Sequence, residues 1–268
     1  MKACSSFFRL STALILAATA AAAALVSARA EAPAPVATCV APSDLVRLVH
    51  PLSRTAKRLA AGQSITIVAI GSSSTAGAGA SSPAMSYPSR LAVELKEQFP
   101  RADINVVNRG INGETARDML ARFDTGVVAE QPDVVVWQVG SNSVLRDQPL
   151  EPAGALIREG LAKLKAAGAD VILMNPQYAP KVIAKRDAEL MVDLIDLAAK
   201  EANVDLFQRF AVMRYWRLTE SIPFETFVSA DELHMNDWSY GCVAKLLAAA
   251  IAEAATRSTV TATATARR

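Results

Sequence analysis

Five short apolar runs divide the chain, and each is rich in β-branched residues. They are SITIVAIG (64–71), INVVN (104–108), DVVVWQVG (133–140), DVILMN (170–175) and VDLF (204–207). Apolar residues follow one another in these runs instead of alternating with polar ones, which is typical of strands buried on both faces of a parallel sheet. The pattern therefore predicts five parallel strands.

Helical spacing of apolar residues fills the segments between the runs and after the last one. The rows are Leu91, Leu95 and Phe99; Ile157, Leu161 and Leu164; and Val243, Leu246, Leu247, Ala250 and Ile251. Gly168 is placed to end the second helix, and Asn236 to cap the third. Alternating strands and helices predict an α/β fold, a three-layer α/β/α sandwich around a central parallel sheet of about five strands. Ligands of such sheets bind beyond the carboxyl ends of the strands, so functional residues are expected there.

Residues 1–30 depart from this pattern. They combine a charged start, an uncharged alanine-rich middle and the small-residue exit Ala28-Arg29-Ala30, which together predict a secretory signal peptide. The alternative is an uncleaved membrane anchor, although the apolar stretch is shorter than the roughly 20 residues that a spanning helix needs. Cleavage near Ala30 predicts an exported protein, periplasmic or secreted, without a stable membrane anchor.

The remaining chain reads as one domain with two irregular ends. Residues 31–41 are expected to form an extended leader, residues 42–257 the domain, and residues 258–268 a disordered tail of small polar residues. Residues 1–30 carry three basic side chains and no acidic one, so 25 of the 28 basic residues remain against 26 acidic ones, a formal charge of −1. This balance and the lack of a Lys/Arg block argue against nucleic acid and membrane surfaces as partners.

Two cysteines remain after residue 30, Cys39 and Cys242. In an exported protein such a pair predicts a disulfide, here between the leader and the last helix. Two buried thiols are the alternative.

The stretch VAIGSSSTAGAG (68–79) directly follows the first predicted strand. It lacks the lysine of a phosphate-binding P-loop and the third glycine of a dinucleotide-binding fingerprint. A turn that presents one reactive serine remains, and serine needs a neighbouring base to become a nucleophile.

The chain has two histidines, of which His50 lies in a helical stretch before Pro51 and is interpreted as structural. His234 lies between the last strand and the last helix, where an active-site residue of this fold is expected. Asp231 precedes it by three residues, so a tight turn would bring the carboxylate against the imidazole, although a capping turn with a surface histidine shows the same spacing. One such histidine, without clustered carboxylates or thiols, argues against a metal site, and no cofactor is expected.

Two further strand ends supply candidate hydrogen-bond donors. NRGINGET places Gly110 and Gly113 after the second strand, and QVGSNSV places Asn142 after the third. Glycine amides and an asparagine side chain suit the stabilisation of an oxyanion, although both residue types are also common turn formers.

In this order the motifs resemble the SGNH hydrolases, the GDSL-type esterase and lipase superfamily. The segment IGSSST resembles its first block, GINGET its second, VGSNS its third and DELH its last. The resemblance implies a flavodoxin-like SGNH hydrolase fold for residues 42–257, a catalytic triad and an oxyanion hole. The triad would be Ser73, Asp231 and His234, and the oxyanion donors Ser73, Gly113 and Asn142. Ser72 and Ser143 stand where the motifs usually have Asp, which weakens any transfer of lipase specificity.

The activity that this resemblance implies is hydrolysis of carboxylic esters, with short acyl groups such as acetyl on small esters or carbohydrate. An O-acyltransferase acting on envelope glycan would use the same residues, and an inactive glycan-binding module is a third reading. The sequence leaves the oligomeric state open. It also leaves open whether the aromatic residues of segment 208–230, or the segment NPQYAP (175–180), border the site.

Overall fold

The computed structural model describes residues 37–266, with side chains described as far as Arg257. The predicted signal peptide and the start of the predicted leader lie outside the described residues. Among the described helices, none has the length and apolar character needed to cross a membrane.

Within residues 37–266, five parallel strands form one sheet in the order β2-β1-β3-β4-β5. They are β1 (Ile65–Gly71), β2 (Ile104–Gly110), β3 (Val134–Gln138), β4 (Asp170–Met174) and β5 (Asp205–Phe207). The central strand β3 is buried along its whole length, as its continuous apolar run predicts. The edge strand β2 is only half-buried, because it pairs with β1 alone. The predicted α/β sandwich with five parallel strands is confirmed.

Thirteen α-helices and two short 3₁₀ helices surround the sheet in the described part of the chain. The α-helices are α1 (Ser43–Val46), α2 (Ser53–Ala60), α3 (Ser73–Ala76), α4 (Tyr87–Gln98), α5 (Ala116–Ala121), α6 (Phe123–Gly126), α7 (Ser141–Leu145), α8 (Leu150–Ala166), α9 (Pro180–Ile183), α10 (Ala188–Ala202), α11 (Arg209–Leu218), α12 (Phe224–Phe227) and α13 (Asp237–Ala266); the 3₁₀ helices are Pro83–Met85 and Val128–Glu130. Helical backbone continues to Ala266, into the segment that the sequence predicts to be disordered, since no glycine or proline ends the helix there.

The hydrophobic core forms two layers, one on each face of the sheet. One layer holds the predicted rows of α4 and α13, including Leu91, Leu95 and Val243, and the other holds the row of α8 with Ile157 and Leu161. These rows confirm the helical spacing read from the sequence.

The helix ends also follow local sequence signals. Gly168 adopts a φ of +77° just after α8, a left-handed conformation that glycine reaches without strain. Asn236 caps α13, since its side-chain oxygen accepts a hydrogen bond from the Ser239 backbone N–H over 3.2 Å.

A disulfide joins Cys39 to Cys242, with 5.4 Å between the two Cα atoms. It ties the segment before α1 to the second turn of α13. The Trp216 indole N–H donates to the Val40 backbone oxygen over 2.8 Å, next to this bond. The N-terminal segment of the domain is thereby held against the α11 and α13 side of the sheet.

Candidate active site

The nucleophile turn, residues 71–79, runs from the end of β1 through α3. Ser72 and Ser74 are each 1% exposed, whereas Ser73 between them is only partly buried. The Ser72 backbone N–H donates to the Gln138 side-chain oxygen over 2.9 Å, which fixes the entry to α3. Of the three consecutive serines, Ser73 is thus the one presented to solvent.

The structure brings Ser73, His234 and Asp231 into one line of hydrogen bonds, although Ser73 and His234 are 161 residues apart in the chain. His234 Nε2 lies 2.8 Å from Ser73 Oγ, and His234 Nδ1 lies 2.5 Å from Asp231 Oδ2. An imidazole held in this way can take a proton from the serine while the carboxylate supports the resulting positive charge.

The histidine loop, residues 229–236, concentrates hydrogen-bond donors on Asp231. Oδ1 accepts from the Ser229 hydroxyl over 2.6 Å and from the backbone N–H groups of Leu233 and His234 over 2.9 Å each. Burial tends to raise the pKa of Asp231, but these bonds and the one from the His234 ring outweigh it and hold the pKa well below its usual range. Asp231 is therefore ionised at neutral pH.

An ionised Asp231 determines the tautomer of His234. A carboxylate can only accept, so His234 Nδ1 carries the proton and donates it to Oδ2. Nε2 then keeps a free lone pair, which accepts a hydrogen bond from the Ser73 hydroxyl. The ring is consequently oriented as a base toward Ser73.

The first three motifs each provide one N–H group that has no partner in the described part of the chain. In the described part of the chain, the backbone N–H groups of Ser73 and Gly113 take part in no hydrogen bond. Asn142 donates one side-chain N–H to the Glu114 backbone oxygen over 2.8 Å, which leaves its second N–H available. Gly113 has a φ of +81°, and its own oxygen accepts from the Arg146 guanidinium over 2.7 Å.

Gly110, the other glycine of the second motif, has a structural role. It ends β2, and its N–H donates to the Asn108 side-chain oxygen over 2.9 Å. A Cβ at Gly110 would lie 2.1 Å from the Ala76 nitrogen, so the close packing of β2 against α3 requires glycine. Only Gly113 of the pair has a free amide.

His50 is remote from these residues. Its backbone N–H donates to Asp205, which is the first residue of β5 and thus lies at the amino edge of the sheet. The site residues follow the carboxyl ends of the strands. This position agrees with the structural role expected for His50.

Several supporting residues escaped the sequence analysis. Ser229 donates to Asp231, and Arg122 forms a close ion pair with Glu114, whose backbone oxygen orients Asn142. No sequence pattern marks these residues, because they act through tertiary contacts. Gln138 did carry a signal, as the one uncharged polar side chain within the apolar run 134–139.

The aromatic residues of segment 208–230 belong mostly to the core. Phe210, Trp216 and Phe227 are at most 2% exposed. Phe224 is half-buried and lines a cleft of about 460 Å³, together with Ser229 and the acidic residues Glu225 and Glu232. This cleft adjoins the histidine loop.

A second cleft, of about 330 Å³, adjoins the oxyanion donors. Its lining includes Ser143, which follows Asn142, and Thr115, which lies two residues beyond Gly113. Arg117 and Arg146 contribute positive charge to it, and Asp118 contributes negative charge. One cleft therefore adjoins the histidine loop and the other adjoins the oxyanion donors, and charged side chains line both.

Known proteins with similar sequences are named as esterases. The chain is 36% identical to an acetylxylan esterase of Geobacillus stearothermophilus over 94 residues, 31% of this chain and 43% of the relative. It is 29% identical to an arylesterase of Vibrio mimicus over 125 residues, 47% of this chain and 61% of the relative. The matches thus span less than two thirds of these relatives.

A similar fold occurs in the crystal structure of a two-domain esterase (CEX) active on acetylated mannans. The TM-score is 0.66 with 23% sequence identity, over 80% of this chain and 56% of that one. The family model of the non-GDSL lipase-like family matches residues 38–257. That name agrees with the first motif, in which Ser72 replaces the usual Asp. The chain belongs to the non-GDSL lipase-like family, within the SGNH hydrolase superfamily.

Proposed function

We propose that this protein is an exported serine esterase that hydrolyses short acyl esters, such as acetyl groups on carbohydrate. The observation that carries the proposal is the line of hydrogen bonds from Ser73 Oγ through the His234 ring to Asp231. The names of the esterase relatives support the reaction class.

In the first half of the reaction, His234 Nε2 takes the proton of the Ser73 hydroxyl while Oγ attacks the ester carbonyl carbon. Asp231 stabilises the imidazolium that forms and does not itself take the proton. The tetrahedral intermediate collapses when the C–O bond to the alcohol breaks, and His234 returns its proton to the departing alcohol oxygen. An acyl group remains on Ser73.

Water completes the reaction by the same steps. His234 takes a proton from water, the hydroxide attacks the acyl carbon, and Ser73 leaves with the proton from His234. The carboxylic acid product then ionises in solution. No group beyond these side chains is needed to balance either half.

The carbonyl oxygen becomes negative in both tetrahedral intermediates, so it needs donors already in place. The free N–H groups of Ser73 and Gly113 and the second side-chain N–H of Asn142 supply them. Loss of one such donor lowers kcat by about 10²–10³ in comparable sites. Asn142→Ala is therefore expected to retain more activity than Ser73→Ala.

Two features favour a short acyl group on a hydroxylated alcohol. Three of the five aromatic side chains of segment 208–230, Phe210, Trp216 and Phe227, fill the core, so they do not line a deep apolar tunnel for a fatty chain. The two clefts that adjoin the histidine loop and the oxyanion donors are lined by charged side chains, which suit a polar ligand such as a sugar. They are Arg117, Asp118, Arg146, Glu225 and Glu232. The acetylxylan esterase name of one relative agrees with this substrate class.

Export rests on residues 1–30, with cleavage near Ala30. The bond between Cys39 and Cys242 supports it, since disulfides persist in oxidising compartments.

The test uses residues 31–268 with 4-nitrophenyl acetate, its butyrate and octanoate analogues, and acetylated xylan. We expect turnover that falls with acyl length, release of acetate from the glycan, and loss of both activities in Ser73→Ala. Ser74→Ala is the matched control, because this buried hydroxyl has no hydrogen-bond partner in the described part of the chain. Transfer of acetyl to an added sugar in preference to water would identify an acyltransferase, and no turnover in wild type would contradict the proposal.

A further inference from the structure

A buried chain of polar groups lies beneath the site. The Ser72 N–H donates to Gln138 Oε1 over 2.9 Å, and Gln138 Nε2 donates to Ser141 Oγ over 3.5 Å, the longest link. The Ser141 hydroxyl donates to Gln177 Oε1 over 2.9 Å, and Gln177 Nε2 donates to the Leu233 backbone oxygen over 3.1 Å. All donors point in the same direction along the chain.

This hydrogen-bond chain passes directly under each part of the site. Ser72, Ser141 and Leu233 each immediately precede a residue of the site, namely Ser73, Asn142 and His234. The side chains that form this hydrogen-bond chain are at most 3% exposed. Its first three bonds are buried and therefore shielded from water, and the last one, to the Leu233 oxygen, is part-buried. The hydrogen-bond chain therefore links the nucleophile turn to the histidine loop from below.

Arg209 sets the direction of hydrogen-bond donation at Gln177. Its side chain is fully buried; Nε donates to the Asn175 backbone oxygen over 3.0 Å, and Nη2 donates to Gln177 Oε1 over 3.1 Å. A guanidinium group can only donate, so Gln177 must turn its oxygen toward Arg209 and its NH₂ group toward Leu233. Without Arg209 the amide could rotate and present its oxygen to the Leu233 carbonyl.

A buried guanidinium without a carboxylate partner is unfavourable. None of the ion pairs within residues 37–257 includes Arg209, and its Nη1 has no hydrogen-bond partner there. Burial lowers the pKa of Arg209 to about 10, which records this penalty. A hydrophobic side chain would pack more favourably at this position, which suggests that the charge has another role.

Gln177 and Asp231 together hold the peptide group between Leu233 and His234. Its carbonyl accepts from Gln177, and its N–H donates to Asp231 Oδ1 over 2.9 Å. With both polar groups held, the peptide plane resists rotation, and the direction in which the His234 side chain leaves the backbone is restrained. His234 Nε2 then lies 2.8 Å from Ser73 Oγ.

We propose that Arg209 and Gln177 are positioning residues of this site: Arg209 orients the Gln177 amide, and that amide holds the Leu233 carbonyl so that His234 faces Ser73. The expected effects on turnover rest on the proposed esterase function. The expected effect on the distance from Ser73 Oγ to His234 Nε2 does not rest on that function.

Gln177→Glu is the most informative variant. Its carboxylate still accepts from Arg209 and Ser141, and the new ion pair with Arg209 supports folding. It has no N–H to donate to Leu233, however, and its negative charge repels that carbonyl. We expect an unchanged or higher Tm and a kcat lowered by about 10–100-fold, with KM within about twofold of wild type, because positioning errors near 1 Å have effects of this size.

Gln208→Glu is the matched control. Gln208 adjoins Arg209 in the chain, and its oxygen accepts from Asn175 Nδ2, a bond that glutamate retains. Gln208→Glu introduces the same charge at the residue next to Arg209, without interrupting the hydrogen-bond chain to Leu233. We expect wild-type kcat, and an equal loss in both variants would overturn the proposal in favour of a general charge effect.

A double-mutant cycle separates positioning from simple packing. Arg209→Met keeps the volume and removes the donors, and we expect it to lower kcat in the wild-type background. In a Gln177→Met background, which has neither the amide nor a charge to pair with Arg209, it should lower kcat no further, because Arg209 acts through Gln177. Losses that multiply in the double variant would overturn the proposal.

Crystal structures provide a readout that does not depend on turnover. The Ser73 Oγ to His234 Nε2 distance should exceed about 3.5 Å in Gln177→Glu and stay near 2.8 Å in Gln208→Glu. If wild type had no turnover, the proposed function would fail while these distances still decided the positioning role. An unchanged distance with wild-type kcat in Gln177→Glu would overturn the inference itself.

Discussion

Gly79 lies where the nucleophile turn touches the histidine loop, and replacing it with alanine perturbs the site by one methyl group. The new Cβ would lie 2.4 Å from the Met235 backbone oxygen, 2.8 Å from His234 Cβ and 3.1 Å from Ser229 Oγ. Gly79 also has a φ of +87°, a left-handed conformation that alanine adopts with strain. The substitution therefore forces the two segments apart.

The nucleophile turn cannot easily give way. The Tyr240 hydroxyl donates to the Ala78 backbone oxygen over 2.6 Å, and Ser81 donates its N–H and hydroxyl to Asp237 over 2.8 and 2.6 Å. These bonds hold the backbone on both sides of Gly79. The displacement must consequently fall on the histidine loop.

The size of the effect follows from the distances. Ordinary contact for a Cβ begins at 3.4 Å, so a separation of 2.4 Å requires a shift of about 1 Å. A misplacement of this size lowers kcat by about 10²-fold. The left-handed backbone alone destabilises the fold by about 1–2 kcal/mol.

The assay compares kcat for 4-nitrophenyl acetate with the free energy of unfolding in urea. Gly62→Ala is the control, because Gly62 has a φ of +65° and nothing within 4 Å of its Cβ position. We expect both variants to lose stability and only Gly79→Ala to lose kcat. Wild-type kcat in Gly79→Ala, or equal loss of kcat in both, would refute the reasoning.

Three further predictions concern stability. Asp231 has a pKa below its unfolded value of about 3.9, so its carboxylate stabilises the fold at neutral pH. This contribution is lost as the pH falls through the folded pKa. The Tm difference between wild type and Asp231→Asn should therefore shrink below about pH 4, and a constant difference would contradict this. Reducing the Cys39–Cys242 bond, which spans 203 residues, should lower the unfolding free energy by up to about 5 kcal/mol while kcat of the folded protein, measured below the new Tm, stays unchanged. Gly160→Ala places a Cβ 2.4 Å from the Trp137 ring and should destabilise the fold by about 1–3 kcal/mol in urea unfolding without changing kcat.

The sequence predicted the sheet well because three of the five strands, β1, β3 and β4, pair with a neighbour on both sides and are buried almost throughout. Continuous β-branched runs leave few alternatives, and observed strands such as Val134–Gln138 fall inside the predicted ranges or extend them by two residues at most. The position of the candidate site was predictable for a related reason. Parallel strands bring their carboxyl ends to one edge, so Ser73 and His234 meet across 161 residues.

The supporting groups could not be read from the sequence in the same way. Arg209 follows the apolar run of β5 as an ordinary charged residue, and its burial depends on oxygens from Asn175 and Gln177 that arrive from another strand end. Gly110 resembled an oxyanion donor, but its tight contact with Ala76 is visible only in three dimensions. Local patterns define elements and reactive groups, whereas tertiary contacts decide which polar side chains hold them in place.

The central claim is that Ser73 is a nucleophile activated by His234. Intact-mass measurement after treatment with a fluorophosphonate tests it directly, because this probe reacts with an activated serine whatever the natural substrate. We predict one phosphonyl adduct on wild type and on Ser74→Ala, and none on Ser73→Ala or His234→Ala. An adduct that persists in Ser73→Ala, or an unmodified wild type, would contradict the account.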